Sequence, residues 1–441
     1  MEMIHEAGQY VDTVKRVCGA VGSEVTFRGT VHRARDMSDF SFIIMRVERG
    51  LIQCTFQGDE IGGVKRADIR DAMVLEVTGK VHEEPRAEHG IEVVLSAVKV
   101  IGRPYEQLPV PLGKKYMGLS LDVDLPLRPI TLRHPVKQAV FRVQGAIADG
   151  FAQYMQAQGF THIHTPKIVV AGAEGGANLF KLQYFHRPAV LAQSPQFYKQ
   201  MMVGVFDRVF ETGPVFRAEK HNTKRHLNEY TSLDFEMGFI DSFMDICRME
   251  TAMLQYVVEL LKKDYAKEIA LLKIELPNVE KIPYVRFDEA KRLIAEKYDR
   301  QIRSPHDLEP EEEALIGEYF KEEYGADFVF VTHYPSKKRP FYAMDDPENK
   351  EFTLSFDLLF RGLEITTGGQ RIHDYETLLK KIEEKGMDTE GMEDYLDCFK
   401  YGMPPHGGLG IGLERLTMKM IGEDNVREAC LFPRDMTRLK P

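Results

Sequence analysis

The chain has 441 residues, enough for at least two domains with substantial cores. Its composition, 43% hydrophobic and 29% charged, is ordinary for a globular protein, and no run of about 18 apolar residues occurs, so we expect no membrane span. The net charge of −10 excludes broad, non-specific nucleic-acid binding, although a local basic patch would be enough for one specific RNA.

Residues 1–105 carry the pattern of a small β-barrel that follows a short helix. Apolar and polar residues alternate around Val25 and Phe27, and the alternation returns in 73–81 and 91–101. Glycine-bearing turns separate roughly five short strands, which predicts an OB-fold. Five arginines on strands expected to be adjacent form either a local basic patch or a solvated surface: Arg28, Arg33, Arg35, Arg46 and Arg49.

Prolines mark the end of the predicted barrel. Four of them break regular structure between 106 and 130, which predicts a hinge there. Pro135 then opens a helix whose apolar residues recur every three or four positions until Gly159 stops it. Strands and helices alternate over the rest of a second domain, 131–441, with helices expected at 194–204, 241–265, 286–297, 309–323, 375–386, 390–400 and 411–421.

The cysteines and the first residues bear on the cellular compartment. The five cysteines are scattered and lack CxxC spacing, and the first eleven residues contain acids but no apolar block. We therefore expect reduced thiols, no zinc site, no secretory signal peptide and a cytoplasmic location.

The first chemically informative segment is 208–239, where two apolar strands flank a basic connection. A hairpin with a cationic loop can bind a triphosphate or the end of a polynucleotide. A plain solvated loop would explain the lysines of the connection. It does not explain Arg217 and Glu219, which continue the apolar strand, because a buried guanidinium needs an anionic partner.

The second informative segment runs from Asp357 to Arg371. Asp357 and Glu364 flank a predicted turn, so their carboxylates can converge, and Thr367 adds a hydroxyl. Hard oxygen ligands that bridge to phosphate are those that Mg²⁺ takes, which predicts a magnesium site. A purely structural pairing of Asp357 with an arginine is the alternative.

Two further groups of residues do not indicate a particular function when each is considered alone. Glycines at 407, 408, 410 and 412 precede a helix that carries Arg415, a pattern that presents backbone to a nucleotide. Lys199 lies three residues after Gln196, on the same helix face, where it could pair with a substrate carboxylate or simply face solvent.

In this order, these segments resemble the aspartyl-tRNA synthetases, class II enzymes, in their compact archaeal and eukaryotic-like form. The resemblance spans nearly the whole chain. It rests on Gln193–Gln200, Phe216–Glu219, Arg225–Glu229, Gly369–Arg371 and Leu431–Asp435. It implies an α+β fold class: an N-terminal OB-fold barrel and a catalytic domain built on an antiparallel β-sheet flanked by helices. The helix that begins at Pro135 resembles motif 1, which in this family builds a homodimer.

The resemblance also implies the reaction and the ATP site. L-aspartate and ATP would form aspartyl-adenylate, and the aspartyl group would then pass to the 3′ end of tRNA-Asp. The phosphates of ATP would be bound by Arg217 at the α-phosphate and by Arg225 and His226 at the outer phosphates. The adenine would be bound by Glu219 at its amino group and by Phe239 and Arg415 on its two faces. Leu227 and Gly412 would lie beside them. Mg²⁺ would be held by Glu364, Thr367 and Asp357; most relatives carry serine where Thr367 stands.

Aspartate would be held at both of its ends. Lys199 and Arg371 would pair with the β-carboxylate, and Arg217 would also contact the α-carboxylate. The ammonium side of the pocket would be formed by Glu174, Gln196 and Asp234, with Thr367 nearby.

The anticodon would be read on the barrel, by His32, Arg33, Phe42, Gln53 and Pro85. Phe42 either stacks on a base or belongs to the barrel core. Discriminating enzymes of this form tend to carry tryptophan at the position of His32 and lysine near Pro85. We therefore expect that tRNA-Asn is charged as well as tRNA-Asp; strict specificity for tRNA-Asp is the alternative.

Two other activities compete with this interpretation. An asparaginyl-tRNA synthetase shares the architecture, but a neutral amide would leave Lys199 and Arg371 unpaired, at a cost of roughly 1–3 kcal/mol. A tRNA-independent paralogue that makes asparagine would lack the barrel.

Overall fold

The computed structural model describes residues 12–170, 172, 178–220 and 222–440. The chain separates into two compact units, the first extending to Lys137 and the second beginning at Gln138. Residues 106–130, predicted to be a hinge, belong to the first unit, and their role as a hinge stays a prediction. Among the described residues, no helix is both long and apolar enough to cross a membrane.

The first unit is built on a closed five-stranded barrel, as the alternation predicted. Its helices are α1 (Thr13–Cys18), α2 (Leu121–Asp124) and α3 (Arg128–Thr131), and its strands are β1 (Glu24–Asp36), β2 (Phe40–Val47), β3 (Gly50–Gln57), β4 (Glu60–Ile61), β5 (Val64–Lys65), β6 (Val74–Glu83) and β7 (Ile91–Gly102). The barrel order is β1-β2-β3-β7-β6. Closure leaves no free sheet edge in this unit's main sheet.

Sequence alternation determines which side chains fill the barrel. Along β2 every second residue is buried, so Ile43 and Met45 enter the core while Phe42 points outward. At one point β6 and β7 approach so closely that only glycine fits. A Cβ at Gly79 would lie 2.3 Å from the Val94 carbonyl oxygen, next to an irregularity in the β6–β7 register.

Within the described residues, the second unit contains eleven strands and nine α-helices, the first of which starts three residues before the boundary between the units. The helices are α4 (Pro135–Ala157), α5 (Gln196–Phe206), α6 (Met244–Asp264), α7 (Ala266–Leu272), α8 (Phe287–Tyr298), α9 (Pro310–Tyr324), α10 (Tyr375–Glu384), α11 (Glu393–Lys400) and α12 (Leu413–Met420). The strands are β8 (Thr161–His162), β9 (Ile168–Val169), β10 (Lys181–Tyr184), β11 (Arg187–Leu191), β12 (Arg208–Phe216), β13 (Glu229–Gly238), β14 (Tyr284–Arg286), β15 (Phe328–Thr332), β16 (Ser355–Phe360), β17 (Leu363–Gln370) and β18 (His406–Gly412). All seven helices predicted by range are present within a few residues; the short helix α7 was not predicted.

The central sheet of the second unit has the order β14-β15-β16-β17-β18-β13-β12-β8. The strands from β15 to β12 pair antiparallel, which confirms the predicted antiparallel sheet. The two edge strands, β14 and β8, pair parallel to their neighbours, so the complete sheet is mixed. A separate three-stranded sheet has the order β10-β11-β9.

The two faces of the central sheet have different chemistry. Along β13, Leu233, Phe235 and Met237 pack in the main core with α4 and α6. Asp234 and Glu236, which alternate with them, point to the opposite face and are also buried. Buried carboxylates on a single face need cationic partners, so this face of the sheet is where a polar site is expected.

A buried acid on the core side gives a test of stability against pH. Glu250 of α6 is fully buried, and burial raises its pKa to about 8 although the Thr366 hydroxyl donates to it at 2.6 Å. The folded protein therefore retains a proton that the unfolded chain releases near pH 4.5, and stability falls as pH rises between these two values.

We expect Glu250→Gln to raise the thermal unfolding midpoint of the second unit more at pH 8.5 than at pH 5. The difference in free energy of unfolding should reach a few kcal/mol, since one pKa unit corresponds to about 1.4 kcal/mol. Calorimetry of both proteins at the two pH values measures this. An equal effect of the substitution at both would show that Glu250 is not protonated in the folded state.

Candidate active site

The polar face of the central sheet carries a cavity of about 340 Å³ in the second unit. Strands β13, β17 and β18 form its floor, and α5, α12 and the connection between β12 and β13 supply its walls. Most residues predicted to bind ATP or aspartate line it: Gln196, Lys199, Arg217, Glu219, Arg225, His226, Leu227, Asp234, Glu364, Thr367, Arg371, Gly412 and Arg415. Residues separated by up to 219 positions in the sequence are thus brought to one site, from Gln196 to Arg415.

At one end of the cavity, two cations and two carboxylates are buried together. The Lys199 ammonium donates to Asp234 Oδ1 at 3.0 Å and lies 3.4 Å from Glu236 Oε2. Arg371 Nε donates to Glu236 Oε1 at 2.8 Å. Burial alone would raise the pKa of Glu236, but Arg371 and Lys199 hold it below its ordinary value. The four charges balance, which permits this cluster to remain ionised inside the protein.

Only glycine fits at position 408, beside this cluster. A Cβ there would lie 2.1 Å from the Phe235 carbonyl oxygen and 2.2 Å from Glu236 Oε2, and the Gly408 carbonyl accepts from Arg371 Nη2 at 2.8 Å. The glycine of β18 therefore makes room for the carboxylate that orients the arginine. Sequence reasoning assigned these glycines to a nucleotide and missed Glu236, although its spacing of two from Asp234 places both on one strand face.

A neutral hydrogen-bond network supports the charged cluster. Gln196 Nε2 donates to Gln200 Oε1 at 2.9 Å, and the Tyr395 hydroxyl donates to the same oxygen at 3.1 Å. Gln200 also contacts His406 Nε2 at 2.9 Å. Burial lowers the pKa of His406 to about 4, so its ring is neutral at pH 7. This network fixes Gln196 and the face of α5 that carries Lys199.

The β12–β13 connection is held closed at its base. The Asn228 amide donates to the carbonyls of Arg217 at 2.7 Å and Glu219 at 3.0 Å. The Arg217 guanidinium lies over the Tyr230 ring at 5.8 Å, and Glu219 lies 3.7 Å from His226. The backbone that follows β12 is thus held at Arg217, whose side chain lines the cavity.

At the other end of the cavity, two arginines pair with two carboxylates. Arg225 pairs with Glu313, and Arg415 lies 3.7 Å from Glu364. Burial, and then the neighbouring Glu364, raise the pKa of Glu313 to about 7. Although burial opposes it, Arg415 and the Thr367 hydroxyl hold the pKa of Glu364 below its ordinary value. This end can therefore accept additional negative charge at its arginines and positive charge at its carboxylates.

The residues predicted to hold Mg²⁺ lie on β16 and β17. The Thr367 hydroxyl donates to Glu364 Oε1 at 3.0 Å. Asp357 faces Thr367 across the strands but does not line the cavity, because Arg339 Nη2 donates to its Oδ1 at 2.7 Å. Burial raises the pKa of Asp357 to about 6. Among the described residues, no group of three or more histidine, cysteine or acidic side chains forms a preorganised metal site.

These oxygens nevertheless fit a magnesium ion that arrives with a nucleotide. Mg²⁺ usually takes one or two carboxylates and completes its shell with phosphate oxygens and water. Glu364 is one-third exposed, faces the cavity and is ionised. A single carboxylate with an adjacent hydroxyl is the expected protein contribution to such a site.

The predicted sandwich of Phe239 and Arg415 is wrong. Phe239 follows the last residue of β13 and is 71% exposed, and it does not line the cavity. The register pairs Ser232 with Gly412 near Arg415 but Gly238 with His406, so Phe239 lies about 20 Å further along the strand at roughly 3.3 Å per residue. The aromatic ring at the cavity end of β13 is that of Tyr230.

Other predicted residues lie elsewhere. Glu174 is outside the described residues. On the barrel, Phe42 and Gln53 line a groove of about 610 Å³ together with Phe40, Thr55, Glu84, Arg86 and Glu92. Phe42 is therefore not a core residue. Pro85 is exposed between two groove residues, whereas His32 and Arg33 do not line the groove.

The chain combines a closed five-stranded barrel with a large central sheet whose polar face carries paired buried charges, and a known family matches each part. Residues 25–101 match the OB-fold nucleic acid binding domain family, and residues 120–436 match the tRNA synthetases class II (D, K and N). The chain belongs to this class II tRNA synthetase family, as the sequence motifs predicted.

Individual relatives refine this assignment. An aspartate–tRNA(Asp/Asn) ligase of Thermus thermophilus is 47% identical over 96% of this chain and 97% of its own. An aspartate–tRNA(Asp) ligase of Pyrococcus horikoshii is 40% identical over 95% of this chain and 97% of its own. The crystal structure of an asparaginyl-tRNA synthetase from the same organism, with asparaginyl-adenylate, superposes with a TM-score of 0.90 at 30% identity and covers 98% of this chain and 100% of its own.

Proposed function

We propose that this protein is an aspartate–tRNA ligase that activates L-aspartate with ATP and transfers it to the 3′ end of tRNA-Asp. The observation that carries the proposal is the buried cluster of Lys199, Arg371 and their carboxylate partners at one end of the cavity. Two cations there can bind the β-carboxylate of the substrate, and Asp234 offers a partner for its ammonium group. The identities of the Thermus and Pyrococcus ligases support the same substrate.

The first step joins the α-carboxylate of aspartate to the α-phosphorus of ATP and releases pyrophosphate. Arg217 bridges the two reactants and stabilises the charge that builds up on the α-phosphate. Arg225 and His226 bind the outer phosphates, and Arg415 lies against the adenine. Mg²⁺ bound at Glu364 and Thr367 would neutralise phosphate charge and orient the leaving pyrophosphate.

The second step is attack of a terminal ribose hydroxyl of tRNA on the adenylate carbonyl carbon, with AMP as the leaving group. Neither step requires a protein nucleophile. The enzyme contributes alignment of two reactants and preorganised charge, which together supply most of the barrier reduction in such transfers.

Asparaginyl-tRNA synthetase activity is the second candidate, because a structure of that enzyme superposes closely. Arg371 argues against it. This arginine lines the cavity and carries only hydrogen-bond donors, so it suits the two acceptor oxygens of a carboxylate better than an amide, whose nitrogen is itself a donor.

Pyrophosphate exchange with each amino acid tests the proposal. Aspartate should support exchange of labelled pyrophosphate into ATP without tRNA, and asparagine at the same concentration should not. Exchange with asparagine alone would establish the second candidate instead, and exchange with neither would reject both.

The barrel is proposed to bind the anticodon. Phe40 and Phe42, whose rings meet edge to face at 5.0 Å, offer an apolar surface on which unpaired bases can stack. Gln53 Nε2 donates to Glu92 at 3.2 Å, so its amide is held in one orientation at the groove. Assembly as a homodimer through the motif 1-like helix α4, and a cytoplasmic location, also stay proposals.

We expect tRNA-Asn to be aspartylated within about a hundredfold of tRNA-Asp. Burial and nearby cations lower the pKa of His32 to about 4, so its neutral ring can both donate and accept a hydrogen bond. Pro85 has no side-chain donor, and its neighbour Arg86 is engaged by Glu84 at 3.0 Å. These features support weak selection at the third anticodon base.

Rates of aspartylation of the two purified transcripts, compared at equal salt, decide this point. A preference for tRNA-Asp above about a hundredfold, nearly 3 kcal/mol, would make the enzyme discriminating.

A further inference from the structure

The start of helix α9 carries three consecutive glutamates that point in different directions, as successive residues of a helix do. Glu311 is exposed at the surface, where Arg300 pairs with it. Glu312 is buried against Lys291 at 2.6 Å. Glu313 is also buried, and it pairs with Arg225, a residue that lines the catalytic cavity. The sequence attributes all three to the helix dipole, so nothing in it separates the last from its neighbours.

Glu313 makes two contacts through one oxygen. Its Oε2 accepts from Arg225 Nη2 at 2.5 Å and from the backbone N–H of Glu364 at 3.0 Å. The Glu313 side chain is 8% exposed and that of Arg225 is 19% exposed. One carboxylate therefore ties a side chain of the β12–β13 connection to the strand that carries the proposed magnesium ligand.

This contact orients Arg225 but does not use all of its hydrogen-bond donors. It lines the cavity, and its buried Nε has no hydrogen-bond partner among the described residues. Its carbonyl accepts from Arg415 Nε at 3.2 Å, which anchors the backbone beneath it. The guanidinium is thus held by one nitrogen, while other donors remain for an anion.

We propose that Glu313 is a positioning residue for nucleotide binding: it holds Arg225 at the place where the outer phosphates of ATP arrive. This inference deepens the proposed function and rests on the use of ATP at this cavity. A long side chain on a surface connection loses rotamer freedom when it binds phosphate. Glu313 restricts the Arg225 side chain before the ligand binds, so that less conformational entropy is lost on binding.

A purely structural role for the pair makes a different prediction. If Glu313 only attached α9 to β17, its replacement would lower stability and would affect both substrates alike. If it positions Arg225, its replacement should weaken the binding of ATP and leave the binding of aspartate unchanged, because aspartate binds at the opposite end of the cavity, near Lys199.

The experiment compares Glu313→Ala, Glu313→Gln and the control Glu311→Ala, which removes a matched acid from the same helix turn. Binding of Mg·ATP is measured by calorimetry, and KM for each substrate by pyrophosphate exchange. We expect Glu313→Ala to weaken Mg·ATP binding and raise its KM about tenfold, the usual scale for a side chain that orients a ligand-binding group. KM for aspartate and the Glu311→Ala enzyme should stay within about twofold of wild type.

Glu313→Gln retains an oxygen that can accept from Arg225 but not the charge, so its effect should be smaller, about threefold. It also decides the matter if the alanine variant does not fold: wild-type ATP binding by Glu313→Gln would then overturn the proposal, as would equal rises of both KM values. Wild-type protein that binds Mg·ATP but shows no aspartate-dependent exchange would reject the proposed function, while the binding measurements would still test Glu313.

Discussion

Replacing Arg217 by alanine is expected to slow aspartate-dependent pyrophosphate exchange by a factor of about 10² or more, the scale of one lost preorganised charge. The backbone of Arg217 is fixed on both sides, since its N–H donates to the Asn228 carbonyl at 2.9 Å and its own carbonyl accepts from the Asn228 amide. The guanidinium extends from this fixed backbone, lies over the Tyr230 ring and lines the cavity.

The loss should appear mainly in kcat, because the charge that Arg217 meets grows as the α-phosphate is attacked. Arg208→Ala is the matched control. It lies at the opposite end of β12, where its side chain donates to the Gln158 carbonyl and does not line the cavity. An Arg217→Ala enzyme within twofold of wild type would show that this residue does not act in the transition state.

Replacing Arg371 by leucine is expected to raise the KM for aspartate by about 10² or more while the affinity for Mg·ATP is retained. A charge-assisted contact with the β-carboxylate would be lost. The ATP end of the cavity, around Arg225 and Arg415, would keep its partners.

Removal of one member of a buried pair also affects stability. Glu236 would lose its bidentate partner, at a cost of about 3–5 kcal/mol. The double variant Arg371→Leu with Glu236→Gln removes both charges and should recover much of this stability, but not the affinity for aspartate. If the double variant bound aspartate as tightly as wild type, Arg371 would not select the substrate.

The sequence predicted the helices and strands better than the tertiary contacts between them. The barrel, the catalytic helices and the antiparallel sheet follow from local patterns that need no partner, such as the alternation along β2. Lys199, Arg217, Arg371 and Arg415 could be assigned because each stands in a motif that the family carries at the same place.

The site residues that the sequence placed wrongly or did not reveal all depend on contacts between distant parts of the chain. Phe239 lies close to Arg225 in sequence but at the far end of a ten-residue strand, and only the pairing register reveals that distance. Glu236 shows the correct spacing from Asp234, yet nothing local says that the face is buried. Glu313 meets an arginine 88 positions away, through a helix whose acidic start has an ordinary local explanation.

The crowding of Gly408 against Glu236 constrains how this pocket can change its substrate. Any side chain at position 408 would collide with the Glu236 carboxylate, and that carboxylate is present to hold Arg371. A pocket redesigned for a neutral amino acid must therefore exchange Arg371 and Glu236 together, whereas position 408 stays glycine in either case, because a Cβ there would also lie 2.1 Å from the Phe235 backbone carbonyl oxygen of the neighbouring strand. A library that seeks new amino-acid specificity should vary positions 236 and 371 as a pair and leave position 408 unchanged.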